Sequence, residues 1–273
     1  MDALIARKYF FQEIQPADEQ IVLERAALYL AWEDYPALDV DAYLNALDTM
    51  AEEIEERLPS DRYPLRVLQT INRYLYEDLG FRGNTTEYYD PRNSFLNEVI
   101  ERRMGIPITL SLVYLAIARR LDFPMEGVGM PGHFLIRPTL PEMEIFVDAF
   151  NKGEILFPQD CQAMLSELYA QPVELRPEYL PSVTNRQYLT RMLTNLKAIY
   201  INQRDLQRAV AAVERILLLM PEALLELRDR GILYYRLNRL SEAQQDLQAY
   251  LEQTPAAEDA IAIQELLNQI EQA

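Results

Sequence analysis

The chain has 273 residues, of which 49% are hydrophobic and 10% aromatic, enough apolar material for one large core or two ordinary ones. A formal net charge of −17 and only 8 glycines against 16 prolines argue against phosphate-bearing partners and against long flexible linkers. One cysteine, Cys161, excludes an intramolecular disulfide and any multi-cysteine metal site, which fits a reducing cytoplasm.

No apolar run of signal-peptide length follows Arg7 and Lys8, so secretion is not expected. Leu23, Ala27, Leu30 and Ala31 recur at helical spacing. Residues 42–58 carry Leu44, Leu47, Ala51, Ile54 and Leu58 as one apolar stripe with acids opposite, and Leu65, Leu68, Ile71, Leu75 and Leu79 form a third stripe ending at Gly80. The first 80 residues therefore read as mostly helical. Between residues 13 and 61 stand fourteen acidic residues against Arg25 and Arg57 alone. That face is either a solvated acidic surface or a docking face for a basic protein; nucleic acid and membrane surfaces are not expected partners.

Tyr88-Tyr89-Asp90-Pro91 is turn-like, and residues 93–103 read as a short helix. Gly105, Ile106 and Pro107 then open a longer helix running to Leu121. Its apolar run, about eleven residues broken by Thr109 and Ser111, is well short of the roughly 20 needed to cross a bilayer. Glycine and proline after Pro124 bracket short extended runs, with strands expected over 126–130, 133–137 and 144–150. Helix returns after Phe157. Pro172, Pro177 and Pro181 place a domain boundary near residue 182, giving domains 1–182 and 183–273.

The second domain repeats itself every 34 residues, as Tyr200/Tyr234, Leu206/Leu240, Ala209/Ala243 and Pro221/Pro255 show. This is the tetratricopeptide period, and the small and aromatic positions resemble that family's pattern over about 191–222 and 225–256. Lys197 and Arg230 depart from it, standing where the other copy has Gly231 and Leu196. Ile261, Leu266, Leu267 and Ile270 mark a capping helix over 258–271.

The order of helix, Gly132-His133-Phe134-Leu135 and Phe146-Val147-Asp148 resembles the core of the transglutaminase-like (papain-like) fold. There a Cys opens the helix and His and Asp complete a triad. Read without a gap, Pro107 falls at the Cys position. Over its full length the chain resembles the SirB-type bacterial family. The resemblance is carried by Asp90-Pro91-Arg92-Asn93-Ser94-Phe95-Leu96-Asn97, Arg102-Arg103-Met104-Gly105-Ile106-Pro107-Ile108-Thr109-Leu110-Ser111, Pro131-Gly132-His133-Phe134-Leu135 and Val147-Asp148-Ala149-Phe150. It implies an α+β protein: a mostly helical N-terminal region with a transglutaminase-like helix-plus-antiparallel-sheet core, followed by an all-α tetratricopeptide domain. It also implies a cytoplasmic bacterial protein.

His133 and Asp148 are accordingly expected to pair at a relict site with Pro107 facing them, strand alternation bringing the two side chains together. Ser111, nearly on the face of Pro107, is the candidate substitute nucleophile ahead of Thr109, but a Ser inside an apolar helix is expected to bond a carbonyl one turn back. Cys161 is expected to be a buried apolar residue. With one His, one Cys and no Gly-rich phosphate loop, neither a metal nor a cofactor is expected. The leading reading is a non-catalytic scaffold that binds a protein or peptide through the tetratricopeptide module or the acidic helical face. The alternatives are a Ser-dependent amide hydrolase or acyl transferase, and a peptide or amide binding module using Asn93, Asn97, His133 and Asp148 without turnover.

Overall fold

The computed structural model describes residues 2–140 and 143–272. The acidic N-terminal segment folds into α1 (Asp2–Glu13), α2 (Leu23–Trp32), α3 (Val40–Glu55) and α4 (Pro64–Asn72), and α4 runs on into a π-helical turn, Arg73–Asp78. Leu47, Ala51 and Ile54 are the buried stripe of α3, whose first turn is capped by Asp39, its carboxylate accepting from the Ala42 N–H at 3.1 Å. Strand β1 (Arg82–Gly83) runs parallel to β2 (Met104–Gly105), and between them lie a 3-10 turn, Pro91–Ser94, and α5 (Leu96–Arg102).

At the centre of this unit lies α6 (Pro107–Arg120), buried at every residue from Pro107 to Tyr114. A helix buried on all sides has to be surrounded, and α2, α3 and α5 pack around it. Its basic end is tied down by charge: buried Glu24 of α2 pairs with Arg119 and, at 2.7 Å, with Arg120, which also reaches Asp48 of α3.

Strands β3 (Met125–Val128), β4 (Leu135–Pro138), β5 (Phe146–Asp148) and β6 (Glu154–Leu156) form one antiparallel sheet in chain order, with Val128 opposite Leu135, Ile136 opposite Val147 and Asp148 opposite Glu154. β3 and β4 also lie against α6. Helix α7 (Pro158–Leu168) packs Cys161 and Leu165 against Val128, Leu135, Phe146 and Leu156 of the sheet. The expected strands are shorter in the structure, and β6 joins them. His133 lies before β4, not in it. Gly132 takes φ +73°, and the His133 N–H donates to the Met130 carbonyl at 3.2 Å, so the chain is still turning there.

The chain divides into two compact units, Met1–Tyr188 and Leu189–Ala273, and the division falls inside α8 (Asn185–Asn202). The first turn of α8 stays with the first unit for a clear reason. The Asp18 carboxylate accepts from the N–H groups of Asn185 and Arg186 at 2.8 and 2.9 Å, and the Tyr188 hydroxyl donates to the Ile108 carbonyl at 2.6 Å. Helix polarity and a buried tyrosine thus outweigh the proline cluster upstream.

In the second unit α9 (Leu206–Leu219), α10 (Leu224–Arg236), α11 (Leu240–Gln253) and α12 (Ala260–Glu271) follow, with α10 packed on α9 and α11, and α11 on α12. The sequence period is also a backbone period. Arg204 and Asn238, one period apart, both take left-handed φ, +60° and +58°, and the residues after them donate to the Tyr200 and Tyr234 carbonyls at 2.9 Å. Ion pairs occupy the two departures from the pattern. Lys197 donates to Glu226 and Asp229 at 2.7 and 2.9 Å, and Arg230 makes a two-pronged pair with Asp246 at 2.7 and 2.8 Å.

Candidate functional site

Asp148 closes β5 and is buried, and four donors converge on its carboxylate. Oδ1 accepts from the N–H groups of Phe150 and Asn151 at 3.0 and 3.2 Å. Oδ2 accepts from the Asn151 side-chain amide at 2.8 Å and lies 2.8 Å from His133 Nε2. A carboxylate only accepts, so Nε2 carries the proton in this pair and Asp148 fixes the ring's tautomer. Burial alone would push the Asp148 carboxyl up. The hydrogen bond and charge of His133, with the Asn151 bonds, outweigh it and hold the carboxyl below its usual range.

The imidazole is also held by rings. Phe150 meets it edge-on at 6.4 Å, and Tyr88 meets Phe150 in the same way at 6.2 Å. Phe150 lies so close to the β1 backbone that a Cβ on Gly83 would stand 2.6 Å from its ring. Behind Asp148, the buried Tyr76 hydroxyl has no hydrogen-bond partner among the described residues; burial and then the Asp148 charge raise its pKa.

Pro107 is the first residue of α6, is buried, and brings neither a nucleophile nor an N–H. The helix start is closed by its own side chains: the Thr109 hydroxyl accepts from the Ile106 N–H at 3.2 Å and donates to the Asn93 carbonyl at 2.6 Å. Thr109 is therefore engaged. Ser111 is fully buried, and its hydroxyl has no partner among the described residues, neither His133 nor the carbonyl one turn back where a bond was expected. That carbonyl already serves the helix ladder, so the missing bond leaves the helix intact, and the penalty falls on the hydroxyl alone.

Asn93 and Asn97 do not join the pair. The fully buried Asn93 amide accepts from Asn84 at 3.1 Å and donates to the carbonyls of Glu87 and Tyr88 at 2.7 and 3.2 Å, so it holds the loop that carries Tyr88. Asn97 is buried with its oxygen unpartnered among the described residues. Burial, then Asp160, pushes the Cys161 thiol up to about 11, an inert setting inside the sheet–α7 core. The sequence assigns no role to Asn151, Phe150 or Gly83, although Phe150 stands in the Val147–Phe150 motif. The available signal was the Asp-Ala-Phe-Asn-Lys-Gly turn after β5, where Lys152 and Gly153 both take positive φ. Among the described residues no group of three or more His, Cys, Asp or Glu could hold a metal ion, and no helix is long and apolar enough to cross a membrane.

A model of the transglutaminase-like superfamily matches residues 41–194, and a tetratricopeptide repeat model matches residues 196–268. The UPF0162 protein of Xylella fastidiosa (strain 9a5c) is 38% identical over 247 residues, 88% of this chain and 86% of that protein. The UPF0162 protein of Vibrio cholerae serotype O1 is 31% identical over 210 residues, 77% of each chain. Human F-box only protein 21 is 36% identical over 142 residues, 49% of this chain but 22% of that protein. No solved structure matches.

Proposed function

The chain belongs to the transglutaminase-like superfamily, as a UPF0162-type protein with a tetratricopeptide region, and from that premise we propose that it is a non-catalytic protein-interaction scaffold. One observation carries the reading. The helix start that would present a nucleophile presents Pro107, and the hydroxyl nearest to replacing it, that of Ser111, is fully buried and has no hydrogen-bond partner among the described residues. A His–Asp pair without a nucleophile has no proton to take from an attacking group. In this reading the pair at His133 and Asp148 is a relict site serving the fold.

The partner is a protein or peptide, a helix or an extended segment, taken by the repeats over about 191–222 and 225–256 or by the acidic face of the N-terminal helices. The excess of carboxylates disfavours nucleic acid and anionic membrane. The single buried cysteine suits the cytoplasm, and the domain order suits a SirB-type protein.

Serine- and cysteine-directed acylating probes applied to the full chain test the reading. The expected result is no labelling, with capture of a cross-linked partner unchanged in Ser111→Ala. Stoichiometric labelling of Ser111 that disappears in His133→Ala would overturn it in favour of a Ser-dependent amide hydrolase or acyl transferase.

A further inference from the structure

Tyr9 of α1 meets Tyr29 and Trp32 of α2, which stand three residues apart on one helix face. Ring centroids lie 5.4 Å apart for Tyr9–Tyr29, 5.6 Å for Tyr9–Trp32 and 6.2 Å for Tyr29–Trp32, and the interplanar angles are only 34°, 42° and 28°. Aromatic pairs often meet edge to face; these three meet at shallower tilts and together line one wall of a surface depression, here called the floor. The floor is open, since Tyr9 is 43% exposed. It faces a surface cavity of about 400 Å³ that Leu38 walls and Asp39 and Asp41 rim.

Among the described residues no lysine or arginine lines this cavity. Arg25, whose charge reaches Tyr29, is drawn toward Glu13 at 3.5 Å. An aromatic floor with carboxylates at its edge matches a flat organic cation: the ring faces attract the charge, the guanidinium plane stacks, and the carboxylates accept its N–H groups. The same combination recurs inside this molecule. Arg239 lies 4.2 Å from the Tyr234 ring centre while pairing with Glu242 at 2.9 Å, and Arg57 lies 4.8 Å from that of Tyr74 while pairing with Asp78.

We infer that Tyr9, Tyr29 and Trp32, with Asp39 and Asp41, form a docking site for an arginine side chain presented by a partner protein. The inference rests on the interaction reading above and gives the acidic face its chemistry. Rings beside carboxylates favour a planar guanidinium over a lysine ammonium, because a guanidinium can stack on a ring and bond a carboxylate at once.

Trp32 is the only tryptophan, so its fluorescence reports this site in the full chain. The probes are three short blocked peptides, identical except for a central arginine, lysine or citrulline. The arginine peptide should change the emission saturably. The lysine peptide should bind at least about threefold more weakly, and the neutral citrulline peptide about tenfold more weakly. Tyr9→Leu, which leaves the net charge unchanged, should weaken arginine binding about tenfold. Asp41→Asn, which leaves the rings intact, should weaken it about threefold and serves if Tyr9→Leu misfolds. Equal binding of the lysine and arginine peptides, a response that never saturates, or full affinity in Asp41→Asn would overturn the site. No arginine-peptide binding by the intact chain, with a cross-linked partner still captured, would sink the site and leave the scaffold standing; arginine binding with no protein partner captured would do the reverse.

Discussion

Asp148→Ala is the sharpest perturbation of the His133 site, because it removes one acceptor from four donors at once. Hydrogen bonds to a charged group contribute about 1.5–3 kcal/mol each. Simple addition overshoots, since the rim-lying imidazole and the Asn151 amide can turn to water. The two backbone N–H groups cannot turn without opening the β5–β6 turn. The loss to expect is therefore about 3–5 kcal/mol. Asp148→Asn keeps an oxygen for the backbone donors but sets an NH2 group against the Asn151 amide, so it should lose about 1–2 kcal/mol.

Urea unfolding followed by Trp32 fluorescence reads the first unit, where the only tryptophan lies. The two variants also differ from wild type in pH dependence. The Asp148 carboxyl is held below its usual 3.8 in the folded chain, so its stabilisation is fully present above that value and is lost as pH falls through the lowered one. The gap between wild type and Asp148→Asn should be full at neutral pH and close below about pH 4. A loss under about 1 kcal/mol in Asp148→Ala, or a gap unchanged down to acid pH, would refute the four-donor account.

Ser111→Ala removes a buried hydroxyl that has no partner among the described residues and should leave stability unchanged or raise it by up to about 1 kcal/mol in the same urea titration; a loss of about 1 kcal/mol or more would mean that the hydroxyl is bonded. Gly83→Ala drives a methyl into the Phe150 ring and should cost about 1–3 kcal/mol, with Phe150→Leu in the same chain recovering part of it; additive losses would break the proposed contact. Arg204→Gly relieves a left-handed non-glycine residue and should stabilise the second unit by about 0.5–1 kcal/mol in thermal melts followed by circular dichroism, more than Asn238→Gly, since asparagine tolerates that region better.

Periodicity made the long elements legible. The stripes at Leu47, Ala51 and Ile54 and at Leu68, Ile71 and Leu75 are buried, Leu65 and Leu79 lying half-buried at the ends of the second, and the largely apolar run after Pro107 is the central helix of an α+β unit. The short elements were not legible that way. Three residues, Glu154–Leu156, carry no period, and α1 packs on α2 without a clean apolar stripe of its own. At the site, the order of Gly132-His133 and Asp148 located the pair, but strand alternation was the wrong argument for it, because His133 reaches Asp148 from a turn. Asn151 and Phe150 were hidden for a related reason. Their roles follow from how the backbone curls back after Asp148, which no spacing of residue types encodes.

Thr109, Asn93 and Phe150 suggest why a His–Asp pair can persist as structure. Asn93 holds the Glu87–Tyr88 backbone, Tyr88 meets Phe150 edge-on, and Phe150 meets edge-on the ring of His133, which Asp148 then ties to the β5–β6 turn. The same Asn93 offers its carbonyl to Thr109, which closes the start of α6. One buried asparagine therefore links the helix that would present a nucleophile to the imidazole that would activate it. On the scaffold reading this linkage keeps its value with Pro107 in place, because every bond in it joins two elements of the fold. Asn93→Ala keeps the backbone carbonyl that Thr109 uses but removes the amide bonds that hold its loop, so it should disturb both ends together, loosening the His133 ring and letting that carbonyl drift from Thr109. Amide hydrogen exchange checks this: protection should fall at Leu110, whose N–H bonds the Ile106 carbonyl, and at Phe150. Loss of protection at only one of the two would break the linkage.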